Sequence, residues 1–222
     1  MPRLFSYCIP YDDGAAPNPF WGVCTLAICK PVIRRVARIG DWIVGTGAKQ
    51  FGFNNKVVYA MEVTQVLTMQ QYDAYCNVQL PQKIPNWKSM DYKKRVGDCI
   101  YDFSINPVHI RDSVHNDGNM ITDLGGKNAL LSDHFYYFGE CPIDLPAHLL
   151  PIVKQGQGHK STANNPYYHT FIDWILTQMQ AKNKIVCEPK SHHLFSDDSD
   201  YKLTCAARDK ELDEKDEMLG DE

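Results

Sequence analysis

The chain lacks the features that most readily assign a protein. It has eight cysteines, at positions 8, 24, 29, 76, 99, 141, 187 and 205, but no Cys-x-x-Cys pair. The tight ligand spacing of common zinc modules is therefore absent. No apolar run approaches the roughly 18 residues that a membrane-spanning helix requires. The start, Met1-Pro2-Arg3-Leu4-Phe5, has no charged region followed by an apolar stretch and a cleavage site, so no secretory leader is expected. A cytoplasmic location follows as the expectation, with the cysteines as reduced structural thiols. A zinc site built from Cys24, Cys29 and the His192-His193 pair is the alternative reading of those thiols. The expectation is neither a metal nor a cofactor.

Catalytic signatures are missing as well. There is no Gly-x-Ser-x-Gly, no His-Glu-x-x-His and no deaminase His-x-Glu with Pro-Cys-x-x-Cys. Gln155-Gly156-Gln157-Gly158-His159-Lys160-Ser161 sets Lys-Ser after glycine, but without P-loop spacing. Gly45-Thr46-Gly47 with Gly52 resembles a dinucleotide fingerprint only in part. A second strand is expected after it, where the fingerprint needs a helix.

What is present is a globular composition with an uneven charge. Hydrophobic residues make up 44% and aromatics 11%, values of a folded chain. The formal charge is −4, yet residues 209–222 hold eight acids against two lysines, which leaves +2 for residues 1–208. Residues 1–60 carry seven Lys or Arg against three Asp. The basic end faces a nucleic-acid or nucleotide partner in this reading, and the acidic end is a disordered, solubilising tail.

Hydrophobic patterning gives a coarse map. Leu4 to Ile9 reads as a strand, Pro10 to Pro19 as a loop, and Gly22 to Cys29 as a short apolar segment. Pro31 to Arg38 reads as a helix with Lys30 at the cap position and Ile33, Val36 and Ala37 inward. Lys30, Arg34 and Arg38 recur every four residues and should line an outer face. Trp42 to Thr46 and Lys56 to Thr68 read as strands pairing in a hairpin, and Met69 to Cys76 as a helix. Gly97 to Phe103 and Asn106 to Arg111 are weaker strands. Ala129 to Phe138 is an aromatic strand with a break expected at Ser132-Asp133. The long helix should be capped by Asn165, opened by Pro166, striped by Phe171, Ile172, Ile175, Leu176 and Met179, and finished near Lys184. The order predicts one α+β domain over 1–184, built on a curved, mostly antiparallel sheet or open barrel flanked by helices. Residues 185–222 form an extension and tail.

Three groups of residues carry the functional reading. Lys30, Arg34 and Lys160 offer cations for phosphates. The glycines 45, 47 and 158, with Thr46, permit close backbone approach. Phe20, Trp42 and Tyr136 offer rings for base stacking, with Asn18 and His159 for a base edge. Core packing is the competing account of each ring. Histidines 109, 115, 134, 159 and 169 and acids such as Asp41, Asp98 and Asp133 are the pool for an acid–base pair, with His159, His134 and Asp41 foremost.

The blocks APNPFWGVCTLAICKP, IRRVARIGDWIVGTG, VVYAMEVTQVLT, LLSDHFYYFG and GQGHKS, in that order, resemble the nucleotide-modification-associated domain 2 family from residue 3 to about 182. The resemblance implies a setting in bacterial and phage nucleotide modification and phage defence, with operon-encoded modification or defence proteins as partners. It implies no settled activity. GDWIVGTG followed by VVYAMEV is also similar to the core of PUA-like domains of the EVE and ASCH groups. That likeness implies a curved barrel binding RNA or modified bases between the Trp42 strand and residues 134–138. The function expected is nucleotide or nucleic-acid binding, and the alternative is an enzyme acting on nucleotides or modified bases with a His/Asp pair.

Overall fold

The computed structural model describes residues 1–49 and 52–192. The first half runs β1 (Leu4–Ile9), β2 (Cys24–Leu26), α1 (Pro31–Val36), β3 (Trp42–Gly47), β4 (Lys56–Glu62), β5 (Gln65–Thr68) and α2 (Met69–Gln79). Then follow α3 (Tyr92–Arg95), β6 (Tyr101–Asp102), β7 (His109–Ile110), α4 (Met120–Gly125), β8 (Asn128–Ser132) and β9 (Phe135–Tyr137). The chain continues through β10 (Ile143–Asp144), β11 (His159–Lys160) and α5 (Tyr168–Leu176).

The fold is α+β with mostly antiparallel sheets. A six-stranded sheet has the order β10-β4-β3-β1-β11, with β9 also on β4, and among the described residues its ends do not join into a closed barrel. A second sheet has the order β2-β8-β5, and β6 pairs with β7 in a two-stranded sheet of the described residues. Among the strand pairs of the described residues, β1–β3 is the parallel one, which requires the crossover through β2 and α1. Both faces of β1 and β3 are buried, so both read as nearly continuous apolar runs.

Side-chain alternation divides the layers. Phe5, Tyr7 and Ile9 point with Ile43, Tyr59 and Tyr137 toward Cys24, Leu26, Ile33 and Leu130 of the second layer. Leu4, Trp42, Val44 and Tyr136 point the other way, onto Leu149, Ile152, Phe171 and Ile175. The far face of the second sheet packs Ala129 and Leu131 against Tyr72, Cys76 and Tyr101.

The run 56–68 does not stay in one sheet, contrary to the expectation of a single strand. It bends at Val63-Thr64 and passes from the first sheet to the second as β4 and β5, while β8 and β9 make the reverse passage at Ser132–His134. Register is kept through the bend, with Tyr59 opposite Tyr137 on one side and Gln65 opposite Leu131 on the other. Glu62 N–H to His134 O at 3.0 Å and Thr64 N–H to Leu131 O at 2.9 Å carry the ladder across it. The expected break at Ser132-Asp133 is this same bend.

Other boundaries shift for local reasons. The Met69 helix extends to Gln79 behind a capping box in which the Thr68 hydroxyl accepts from Gln71 N–H and the Gln71 side chain from Thr68 N–H. Asn165 and Pro166 lie in a 3₁₀ turn over Thr162–Tyr167, and α5 begins only at Tyr168 and ends at Leu176. Met179 is exposed rather than part of a buried stripe, and Val36 is half-exposed. Cys141 and Cys187 form a disulfide, correcting the expectation that all the thiols are reduced. Residues 185–192 lie on the domain, with Val186 N–H to Tyr137 O at 2.9 Å and Ser191 N–H to Asp12 O at 2.7 Å. The expected acidic tail falls outside the described residues.

Candidate functional site

One row of side chains crosses the first sheet in register. His159 on β11 lies opposite Tyr7, which pairs with Gly45, which pairs with Tyr59, which pairs with Tyr137. A Cβ on Gly45 would overlap the Tyr59 ring and the end of Ile9. Its absence lets Tyr7 and Tyr59 meet hydroxyl to hydroxyl at 2.9 Å. At the far end the Tyr137 hydroxyl donates to both carboxylate oxygens of Asp12 at 2.7 Å. Burial pushes the Asp12 carboxyl up to about 7, against the Tyr137 hydrogen bond, which lowers it. Burial also raises the phenols of Tyr7, Tyr59 and Tyr137 well above 10.

Beside this row, the turn from β2 into α1 carries the most chemically suggestive cluster. The Cys29 Sγ lies 3.5 Å from Nε2 of His115, and Nδ1 of His115 lies 2.6 Å from Oδ2 of Asp123. Asp123 sits on α4 and is buried, as is the His115 side chain, while Cys29 is partly exposed. The other Asp123 oxygen accepts the Cys29 N–H at 2.9 Å, and Tyr101 donates to Oδ2 at 2.8 Å. Burial alone would raise the Asp123 pKa, but His115, Arg34 and Tyr101 together hold it below the ordinary carboxylate value. An ionised Asp123 keeps the His115 proton on Nδ1 and turns the Nε2 lone pair toward the thiol. Cys29 and Lys30 both have left-handed backbone, with φ of 56° and 43°. For non-glycine residues this is a strained conformation that the surroundings must enforce.

Arg34 is the main correction to the sequence reading. It does not line an outer face with Lys30 and Arg38, because its side chain is wholly buried. Its guanidinium donates to the carbonyls of Cys29 at 2.7 Å, Asp123 at 2.6 Å and Asn128 at 3.0 Å. It also lies 3.7 Å from the Asp123 carboxylate. Gly126 makes room for it, since a Cβ there would collide with the guanidinium.

The other expected site residues separate into two faces. Trp42 and Tyr136 stack at 6.4 Å with His134 5.1 Å from Trp42, and His134 Nδ1 lies 2.8 Å from Glu62. This trio sits at the sheet face opposite the Tyr7 row, and both Trp42 and Tyr136 are buried. Asp41 accepts from the backbone N–H of Arg3 and Arg38 and pairs with the Arg3 guanidinium at 2.9 Å, a structural clasp. The His159 ring packs on Phe5, and Lys160 Nζ donates to the carbonyls of Pro151 and Val153. Gly158 has φ of 80°, a backbone turn that glycine permits. Thr46 donates to the Tyr7 carbonyl, and Gly47 packs on Phe53. Asn18 and Phe20 are buried, with Asn18 accepting from Lys83 Nζ at 2.6 Å inside a network that reaches Thr25 and Asp98.

Two of the expected cations stand at the Cys29 cluster, the buried Arg34 and the partly exposed Lys30, whose Nζ lies 5.3 Å from the Tyr7 ring centre. Sequence reasoning included His115 in its pool but missed Cys29 and Asp123 as its partners. Asp123 lies 94 residues from Cys29 and matches no spacing motif. Among the described residues no three His, Cys, Asp or Glu side chains converge as a metal-ligand set. His193 of the alternative zinc reading lies outside them. No described helix is long and apolar enough to cross a membrane.

No curated protein and no solved structure matches the chain. A family profile described as nucleotide modification associated domain 2 matches residues 1–196, most of the chain and all of the clusters above. The chain therefore belongs to the nucleotide modification associated domain 2 family.

Proposed function

We propose that the chain is an enzyme acting on nucleotides or modified bases, with His115 and Asp123 as its His/Asp pair, working within nucleotide-modification or phage-defence systems. The observation that carries this reading is the imidazole of His115, held at 2.6 Å by a buried carboxylate and facing a partly exposed thiol with its other nitrogen. A base that is oriented by a third group is the arrangement general acid–base chemistry requires. Lys30, next in the chain to Cys29, is the cation best placed to meet a substrate phosphate. The family description supports a nucleotide-related substrate.

A reader that stacks a base on Trp42 and Tyr136, as a PUA-like cleft would, draws less support. The two rings are 2% and 0% exposed, which leaves no free face for a base.

The test is turnover of a panel of nucleosides, nucleotides and oligonucleotides with natural and modified bases, compared between wild type and His115→Gln. Loss of turnover with unchanged circular dichroism supports the reading. A folded His115→Gln protein that turns over substrate at the wild-type rate excludes it.

A further inference from the structure

The chain's thiols are not equivalent. Cys24, Cys76 and Cys99 are buried. Burial pushes the Cys24 thiol up to about 12, and a hydrogen bond with Cys76, together with burial, raises Cys99 as well. Cys8 is partly exposed, but burial raises it too. Such thiols are poor nucleophiles, because the thiolate is the reactive form. Cys29 differs in combining partial exposure with an imidazole nitrogen 3.5 Å from its sulfur.

Its backbone is also held unusually firmly. The Cys29 N–H goes to Asp123 Oδ1, the Cys29 carbonyl accepts from Arg34 Nε, and Arg34 in turn lies against Asp123. The same carboxylate that orients His115 through Oδ2 therefore fixes the thiol's own peptide through Oδ1. This buried pair anchors the left-handed turn at Cys29 and Lys30 from both sides of the Cys29 peptide, and strain of this kind collects where a side chain must be aimed. Packing alone would explain the Arg34–Asp123 pair, but it does not require a histidine between the carboxylate and a sulfur.

We propose that Cys29 is the nucleophile of this site, activated by His115 and positioned by Asp123, and that it attacks an electrophilic sp² ring carbon of a nucleobase. The proposal rests on the enzymatic reading above. In the first half-step His115 Nε2 takes the thiol proton and the sulfur bonds to the carbon. A displaceable group on that carbon, such as an exocyclic amine, leaves with its bonding pair and takes the proton from His115. In the second half-step water bonds to the same carbon and gives a proton to His115. The C–S bond breaks with its pair returning to sulfur, which regains that proton. The sum is hydrolytic replacement of the displaced group by hydroxyl, with no oxidant or reductant. Asp123 is a positioning residue in this scheme.

The test needs no substrate. The full-length protein is labelled with iodoacetamide from pH 5 to 9, and the rate at each cysteine is read by peptide mass spectrometry. At pH 6.5 Cys29 should label on the order of ten-fold faster than Cys8, and His115→Gln should remove that advantage. Equal rates at Cys29 and Cys8, or an advantage that survives in His115→Gln, would overturn the proposal. Should His115→Gln not fold, the wild-type profile decides. A Cys29 rate that follows an ordinary thiol titration rejects the pairing, and a plateau extending well below it supports it. Cys29→Ala should abolish any turnover found with the nucleotide panel, and full turnover by Cys29→Ala also overturns the proposal. A silent panel would count against the enzymatic reading alone, because labelling is independent of it.

Discussion

Tyr7 and Tyr59 touch hydroxyl to hydroxyl at 2.9 Å across a strand that has no side chain between them. The gap is Gly45. Gly45→Ala would drive a methyl group into the Tyr59 ring and Ile9, where both layers are close-packed. The expected cost is about 1–3 kcal/mol, read from urea denaturation. A substitution that is neutral would show that the two rings can separate freely.

Arg34→Met keeps volume but leaves Asp123 buried without its cation and three carbonyls without a donor. Stability should fall by about 3–5 kcal/mol. Arg35 and Arg38 are exposed, and their alanine variants should stay within roughly 0.5 kcal/mol of wild type. The contrast between the positions is the measurement. Equal effects at all three would restore the picture of one cationic outer face.

Asp12 makes stability depend on pH. Its folded value near 7 exceeds the ordinary 3.8, so the folded chain holds this proton more tightly than the unfolded one. Its contribution is most favourable below pH 3.8, weakens as pH rises toward 7, and is level above that. At about 1.36 kcal/mol per unit, the ceiling is roughly 4 kcal/mol. Asp12→Asn can still accept from Tyr137 and should gain stability relative to wild type between pH 5 and pH 8. Parallel denaturation profiles for the two proteins would refute the assignment.

The Cys141–Cys187 disulfide closes a loop with a sequence separation of 46 residues. Reduction should lower unfolding stability by about 2–4 kcal/mol, mostly by freeing the unfolded chain. The double Cys141→Ser, Cys187→Ser variant should match reduced wild type and be insensitive to dithiothreitol. A midpoint unchanged by reductant would argue against the bond's contribution.

Much of the fold is legible in local pattern. Leu4–Ile9 alternates between two buried faces, and the β-branched run at 56–68 marks a strand whose register survives even where it changes sheet. Short elements such as β6 and β7 are barely written locally, because two-residue pairings are held by neighbours rather than by propensity. Arg34 shows the limit most clearly. A spacing of four tells that Lys30, Arg34 and Arg38 share a side of a helix, but not that α4 covers that side near Arg34. The Cys29–His115–Asp123 cluster is invisible for the same reason, since tertiary folding alone brings its members together.

The bend at Val63-Thr64 has a mechanical consequence. Because the register is the same on both sides and backbone hydrogen bonds bridge the bend, the sheet bearing the tyrosine row and the sheet leading into Cys29 cannot shear apart without unzipping backbone at Glu62 and Thr64. Separation between the layers is thus held by main chain as well as by side-chain packing. Core substitutions between them should lower the global opening energy while leaving the spacing intact, and the amides of Glu62 and Thr64 should exchange hydrogen only when the whole domain opens.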